Sequence, residues 1–242
     1  MTPSLPETLS IPARFNGPPG SANGGYTCGR VAALVGAEEV EVSLRKPPPL
    51  DQRLEVVRAG ERVELRDGDT LVAEGGPTEL LFDVPDAVPR GEVAEAEEAG
   101  RELWTAEHPF PTCVVCGPAR EPGDGMRIFP ASLPGRDGLF GACWTPGELE
   151  SDGDGWVRPE LAWAALDCPT SAPVANFGVG PPMVLASLAA RLAGRVRVGE
   201  PHTILSWRLE VDGRKRRAAA ALYDSDGVLT CASRALWIEL RQ

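Results

Sequence analysis

The sequence predicts an α+β fold in which a helix followed by an antiparallel meander occurs twice. Two hairpins carry this prediction, because residues 65–74 and 222–232 each read as a strand, an Asp- and Gly-containing turn and a second strand. Further strand-like segments precede each hairpin, and a Gly-punctuated or Ala-rich segment upstream of these reads as a helix. An internal duplication restricts the fold more strongly than any single motif in this chain.

Composition and charge are those of a folded acidic protein. The 242 residues are 43% hydrophobic and 24% charged, which allows a sizeable core. The formal net charge of -11 disfavours binding to nucleic acid. We find neither a stretch of about 20 apolar residues nor a signal peptide, so we expect no membrane span and a cytoplasmic location.

In the first half, small residues and glycines at 21–35 predict a helix that packs closely against a neighbour. From Val40 the polarity alternates with a period of two, which predicts a strand with one wet face. The strands expected here are 40–45, 53–57, 62–66, 70–75 and 80–84. A Glu- and Ala-rich stretch between prolines follows, and it predicts a linker that contains a short solvated helix at 91–103. The predicted boundaries are therefore 1–90 for the first repeat, 91–109 for the linker and 110–242 for the second repeat.

The second half repeats this order. Residues 158–165 read as a buried helix, with Pro159 tolerated in its first turn and Cys168-Pro169 ending or kinking it. Residues 183–198 look helical at first and extended later. The expected strands are 139–144, 203–211, 215–223 and 228–240.

The six cysteines do not form a disulfide scaffold, and we expect mostly free thiols. Cys113 and Cys116 form a lone Cys-x-x-Cys pair, which can supply two zinc ligands. A structural zinc site needs four, and Cys143, Cys168 or His202 would complete the set only if the fold brought it close. We therefore expect an unliganded tight turn, with no metal and no cofactor.

Asp167 ends an apolar helix rich in Ala and Trp, where a carboxylate is costly unless it is paired or functional. It could act as general base or nucleophile on a thioester carbonyl, or it could cap the helix end. Asn23-Gly24-Gly25 could present backbone N–H groups to a carbonyl oxygen, or could serve only helix packing.

Four consecutive cations lie after a hairpin turn near the C-terminal end of the chain. Arg214, Arg216 and Arg217, with Lys215 between them, could hold a nucleotide phosphate, although a solvated hairpin is the more common case.

Several of these segments together resemble the thioesterase-like hotdog proteins. Cys113-x-x-Cys116-Gly117, followed by the Gly-Asp-Gly-Met segment at 123–126, is similar to the lead-in of many hotdog acyl-CoA thioesterases. Residues 22–26 resemble the helix start in the first repeat of double-hotdog members, and Asp167 matches the helix carboxylate by position. The resemblance implies a double hotdog, with two antiparallel sheets each wrapped around a central helix and joined side by side.

The resemblance also implies an acyl-CoA thioesterase activity in which Asp167, Asn23 and Gly25 are catalytic. Gly24, Tyr26, Trp163 and the three arginines would contact the acyl-CoA. Members often carry His-Gly-Gly at the helix start of the catalytic repeat, whereas this chain has Pro159 there, which lacks an N–H. A non-catalytic acyl or small-ligand binding protein is therefore the alternative. A monomer would suffice for either function, and a homodimer is compatible with the fold.

Overall fold

Three helices and one continuous sheet are present in the computed structural model, which describes residues 6–106, 108–175 and 182–241. The helices are α1 Gly24–Val35, α2 Arg90–Ala106 and α3 Pro159–Ala165, and 3-10 helices span Ala13–Phe15 and Cys168–Val174. The strands are β1 Thr8–Leu9, β2 Glu39–Leu44, β3 Leu54–Ala59, β4 Arg62–Asp67, β5 Thr70–Pro77, β6 Ala131–Ser132, β7 Leu139–Trp144, β8 Met183–Leu192, β9 His202–Asp212, β10 Lys215–Tyr223 and β11 Leu229–Glu239. None of the described helices is long and apolar enough to cross a membrane.

The eleven strands pair antiparallel in the order β1-β3-β4-β5-β2-β8-β11-β10-β9-β7-β6. Strands β2 and β8 join the two halves, with Val42 opposite Leu188. Outward from this junction the first half runs β2, β5, β4, β3, β1, and the second half runs β8, β11, β10, β9, β7, with the short β6 added at the outer edge. The two halves therefore have the same order. The strand that follows the central helix (β2 or β8) lies at the junction, the three-stranded meander comes next, and the strand that precedes the helix (β1 or β7) lies beyond it.

Helix α1 has the end signals that its sequence predicts. Asn23 caps it, because its Oδ1 accepts the Tyr26 N–H at 2.8 Å. Gly36 ends it in the left-handed region at φ 78° and donates its N–H to the Ala32 carbonyl. The helix then packs on β2, β4 and β5.

Helices α1 and α3 touch because α1 has glycine at the contact. A Cβ on Gly25 would lie 2.4 Å from Asp167 Cβ, and one on Gly29 would lie 2.6 Å from Glu160 Cα. Two glycines one turn apart therefore let the backbones of the two helices come into direct contact.

Helix α2 lies in the segment predicted as a linker helix, and it packs against β6, β7 and β9. Its buried Val93 joins Val88, Leu205 and Tyr223 in a second apolar cluster, separate from the main core. The Tyr223 hydroxyl donates to the Pro85 carbonyl and ties the preceding segment to the same sheet.

Two predictions from the sequence were wrong. Residues 183–192 form a strand and have no helical start, because this segment pairs with β2 on one side and β11 on the other. Its Ala and Leu residues have good helix propensity, but tertiary pairing overrides such preferences. Residues 80–84 form no strand, and β5 ends at Pro77, just before them.

Candidate active site

Asp167 lies at the junction between α3 and the 3-10 helix Cys168–Val174. Helix α3 ends at Ala165, and Pro169 prevents regular α-helix from continuing. The sharp change of direction leaves the Asp167 side chain against the first turn of α1, where the residue is only 2% exposed.

The start of α1 supplies the hydrogen bonds of this carboxylate. The Gly25 N–H donates to Asp167 Oδ2 at 2.8 Å, and Asn23 Nδ2 donates to the same oxygen at 3.1 Å. Asp167 Oδ1 is buried and has no partner among the described residues. Two residues of the first half therefore hold Oδ2 of Asp167, which belongs to the second half. Its Oδ1 is left unengaged by the described residues.

Burial dominates the electrostatics of this carboxyl group and raises the pKa of Asp167 from 3.8 to about 7. A negative charge on Cys113 also raises the pKa of Asp167, whereas the hydrogen bonds from Gly25 and Asn23 lower it.

The N–H groups at the start of α1 are not equally available. The Gly25 N–H donates to the Asp167 side chain, and the Tyr26 N–H donates to the Asn23 side chain. The Thr27 N–H donates to the Asn23 backbone carbonyl. The Gly24 N–H makes no hydrogen bond within the described ranges. Gly24 is thus the position in this turn whose N–H can meet a ligand.

A pocket of about 910 Å³ lies next to these groups. Asn23, Gly24 and Asp167 contribute to its wall. The rest of the wall is mostly apolar and comes from several elements, including Leu44, Leu103, Phe110, Met183, Leu185 and Trp237. The pocket is large enough for an elongated apolar ligand with its polar end near Asp167.

Three cysteine thiols lie in the same wall. The sulfur atoms of Cys113, Cys116 and Cys168 all lie within 4.8 Å of one another, and none is in a disulfide. Asn23 Nδ2 lies 3.9 Å from both Cys113 Sγ and Cys168 Sγ. Hydrogen bonds from the Cys116 and Cys168 thiols lower the pKa of Cys113, and the pKa values of the two donor thiols are raised in turn.

The structure brings together Asp167, Asn23, Gly24 and Gly25 of the predicted site, but not the other predicted contacts. Tyr26 is buried and stacks on Phe15 with ring centroids 4.2 Å apart. Trp163 is buried where α3 meets Gly29. Neither side chain lines the pocket.

The arginines after the hairpin turn also lie outside the pocket wall. Arg216 pairs with Glu239, Arg217 pairs with Glu210, and Arg214 donates to the Glu239 carbonyl. Their cationic groups are therefore engaged by residues of the neighbouring strands β9 and β11.

Sequence reasoning missed other residues of the pocket wall. Arg45 and Lys46 follow β2 and line the pocket, and so do Leu185 of β8 and Trp237 of β11. The basic pair directly after an alternating strand was a visible signal. Leu185 of β8 carries no such signal, because the sequence predicts a helical start for this segment.

No protein-family profile and no curated protein matches this sequence. Solved structures do match. A tesB protein of Mycobacterium avium subs paratuberculosis superposes with a TM-score of 0.62 at 14% identity, over 97% of this chain and 92% of that one. An acyl-CoA thioesterase II, TesB2, of Mycobacterium marinum gives 0.54 at 13% identity, over 92% and 90%.

A protein of unknown function with a hot dog fold from Alicyclobacillus acidocaldarius gives a TM-score of 0.59 at 10% identity, over 97% of this chain and 93% of that one. Identities this low carry information about the fold alone. The chain therefore has the hotdog fold, and its predicted resemblance to thioesterase-like hotdog proteins is confirmed at the level of the fold.

Proposed function

We propose that this protein is a double-hotdog hydrolase that cleaves an acyl-CoA thioester by water attack. One observation carries the proposal: a buried carboxylate lies in the wall of a large apolar pocket, with one oxygen held by α1 and the other without a partner among the described residues. The names of the solved structures with the same fold agree with thioester chemistry.

The double-hotdog reading is supported by the matching strand order on the two sides of the β2–β8 junction. It also explains why a composite site forms. The two central helices meet at this junction, so a helix start from one repeat and a helix end from the other face the same pocket.

In this proposal the acyl chain occupies the apolar pocket, and its thioester carbonyl oxygen accepts the Gly24 N–H. The Asp167 carboxylate takes a proton from water while the resulting hydroxide adds to the carbonyl carbon. The tetrahedral intermediate then expels the CoA thiolate as the C–S bond breaks, and the proton on Asp167 passes to the sulfur. Gly25 and Asn23 act by holding the carboxylate.

The CoA phosphates would meet cations at the pocket. Arg45 and Lys46 line it, so they are better placed for this role than Arg214, Arg216 and Arg217. Arg45 also pairs with Glu74 at 2.7 Å, which orients its guanidinium group.

The experiment is hydrolysis of a panel of acyl-CoAs by the wild type and by Asp167→Asn. The substitution is nearly isosteric, and it removes the proton acceptor while leaving the pocket in place. We expect kcat to fall by about 100-fold or more, in line with the loss of a general base. Asp69→Asn, at an exposed turn, is the control and should leave turnover unchanged. Equal turnover by Asp167→Asn and the wild type would refute the assigned role.

The alternative function is non-catalytic binding of an acyl or other small ligand. It is favoured by Pro159 at the start of α3, which removes an N–H there, and by the Arg158 side chain, which does not cap the helix. Tight retention of an acyl-CoA by the wild type with no turnover at any chain length would support this alternative.

A further inference from the structure

We propose that Cys113, Cys116 and Cys168 together bind one Zn²⁺ ion in the wall of the pocket. This goes beyond the proposed hydrolysis and does not depend on it. The sequence names Cys113 and Cys116 as possible ligands, and Cys168 only as one of three residues that the fold would have to bring close. The fold adds the third, because the turn after α3 places Cys168 beside the pair.

The sulfur spacing agrees with zinc and not with a disulfide. Zn–S bonds of about 2.3 Å in a tetrahedral site place neighbouring sulfur atoms about 3.8 Å apart. Cys113 Sγ and Cys168 Sγ lie 3.8 Å apart, and all three sulfur atoms lie within 4.8 Å of one another. A disulfide would need a separation of about 2.05 Å.

The chain around the cluster holds the sulfurs in this arrangement. Gly117 closes the Cys-x-x-Cys turn through its N–H bond to the Cys113 carbonyl at 2.9 Å. A Cβ on Gly117 would lie 2.5 Å from that oxygen, so the turn needs glycine. The three cysteines are 3%, 5% and 6% exposed, so the turn need not rearrange to bury a metal ion.

Neighbouring polar groups give a second, independent indication of a ligand. Asn23 Nδ2, which donates to Asp167 Oδ2 at 3.1 Å, also lies 3.9 Å from two of the sulfurs and places an N–H donor beside the cluster. Asp167, directly before Cys168 in the chain, is buried with Oδ1 unpartnered in the described part of the chain. A cation with a bound water would supply both the positive charge and the hydrogen-bond donor that this oxygen lacks.

Three cysteines leave one position of a tetrahedral ion unfilled. The three residues line the pocket together with Asp167, and the thiol cluster includes neither Asp167 nor His108. With no fourth protein ligand among the described residues, we infer that the remaining position faces the pocket and takes water, as in zinc sites that keep an open position and unlike closed structural ones.

The experiment measures metal in the purified full-length protein by elemental analysis after incubation with Zn²⁺ and removal of excess ion. We expect one Zn²⁺ per chain. Cys113→Ser, Cys116→Ser and Cys168→Ser should each lower the bound metal at least tenfold at limiting Zn²⁺. Cys143→Ser, which changes a half-buried thiol outside the cluster, should retain the full equivalent. Substoichiometric metal in the wild type, or equal binding by all four variants, would overturn the proposal.

Replacement with Co²⁺ tests the site without any variant, in case a buried serine prevents folding. Thiolate ligands give near-ultraviolet charge-transfer absorption that scales with their number, and tetrahedral Co²⁺ gives intense visible bands. We expect an intensity appropriate to three thiolates and a tetrahedral spectrum. A spectrum without thiolate charge transfer, or with an octahedral pattern, would overturn the site. Both metal measurements on the wild type are made without substrate or turnover, so failure of the hydrolysis proposal is distinguishable from failure of this one.

Discussion

Gly25 lies where the first turn of α1 meets α3, and it has two functions at this contact. Its N–H donates to Asp167 Oδ2 at 2.8 Å. Its lack of a side chain admits α3, because a Cβ would lie 2.4 Å from Asp167 Cβ and 2.9 Å from the Trp163 carbonyl oxygen. The hydrogen bond that orients the carboxylate therefore depends on the same residue that allows the helices to touch.

We expect Gly25→Ala to destabilise the protein by about 1–3 kcal/mol, because the added methyl group must displace packed backbone. Alanine alone would favour the helix by up to about 1 kcal/mol, so the steric effect is the larger one. Gly91→Ala in α2 is the matched control, since a Cβ there would have no atom of the described residues within 4 Å. Denaturant unfolding measures both, and similar stabilities of the two variants would contradict the packing argument.

Sequence patterns predicted some of these residue contacts and not others. Asn23-Gly24-Gly25 and Asp167 stood out because glycines at a helix start and an acid in an apolar helix are both unusual. The sequence does not predict which backbone N–H of the first turn of α1 is left without a hydrogen bond, because this depends on the position of α1 relative to α3 along the helix axis. Cys168 could not be assigned to the cysteine pair, because 51 residues of intervening chain give its direction only through tertiary packing.

At the scale of elements, α2 shows how a segment predicted to be a solvated linker helix packs against the sheet. Its Glu- and Ala-rich sequence predicts a solvated helix, yet Val93, Ala96 and Trp104 are buried on one face. Glu97 is buried on this face as well, and it accepts the Cys143 N–H at 2.9 Å at the edge of β7. Strand β8 shows a different effect of tertiary contacts. Its Ala and Leu residues are good helix formers, but they form a central strand because β8 pairs with β2 on one edge and β11 on the other.

Glu97 makes the stability of α2 docking depend on pH. Burial raises the pKa of Glu97 above its ordinary 4.5, although the Cys143 N–H and the charges of Arg101 and Arg90 oppose this. The folded protein therefore holds this proton more tightly than the unfolded chain does. The resulting penalty is absent well below pH 4.5 and grows as the pH rises through the folded-state pKa.

We therefore expect Glu97→Gln to gain thermal stability relative to the wild type as the pH is raised from about 4 to 7. The glutamine Oε1 can still accept the Cys143 N–H, so the hydrogen bond is kept. Glu98→Gln, whose side chain is 77% exposed, is the neighbouring control and should show no such trend. Thermal unfolding across this pH range measures the difference, and a constant offset for Glu97→Gln would count against a buried ionised carboxylate.

For the whole molecule, the β2–β8 pairing and the α1–α3 contact join the two halves through backbone. The main apolar cluster also spans both halves, with Leu65 and Val42 in the same group as Leu188 and Leu222. The predicted boundaries at 90 and 110 remain a prediction about repeats. Continuity of sheet and core favours a single cooperative unit over two units that unfold independently.

The distribution of tryptophan allows a direct test of this cooperativity. All six tryptophans lie at position 104 or later, so their fluorescence reports on the second half and the α2 region. Leu65→Ala removes a fully buried side chain from β4 in the first half, and we expect a loss of about 2–5 kcal/mol. If the chain unfolds as one unit, the tryptophan transition must shift to lower denaturant together with the loss of far-ultraviolet circular dichroism.

Leu81→Ala, at a leucine that is 77% exposed, is the control and should shift neither signal. A tryptophan midpoint that stays at the wild-type value in Leu65→Ala, with an earlier separate loss of dichroism, would mean that the halves unfold independently.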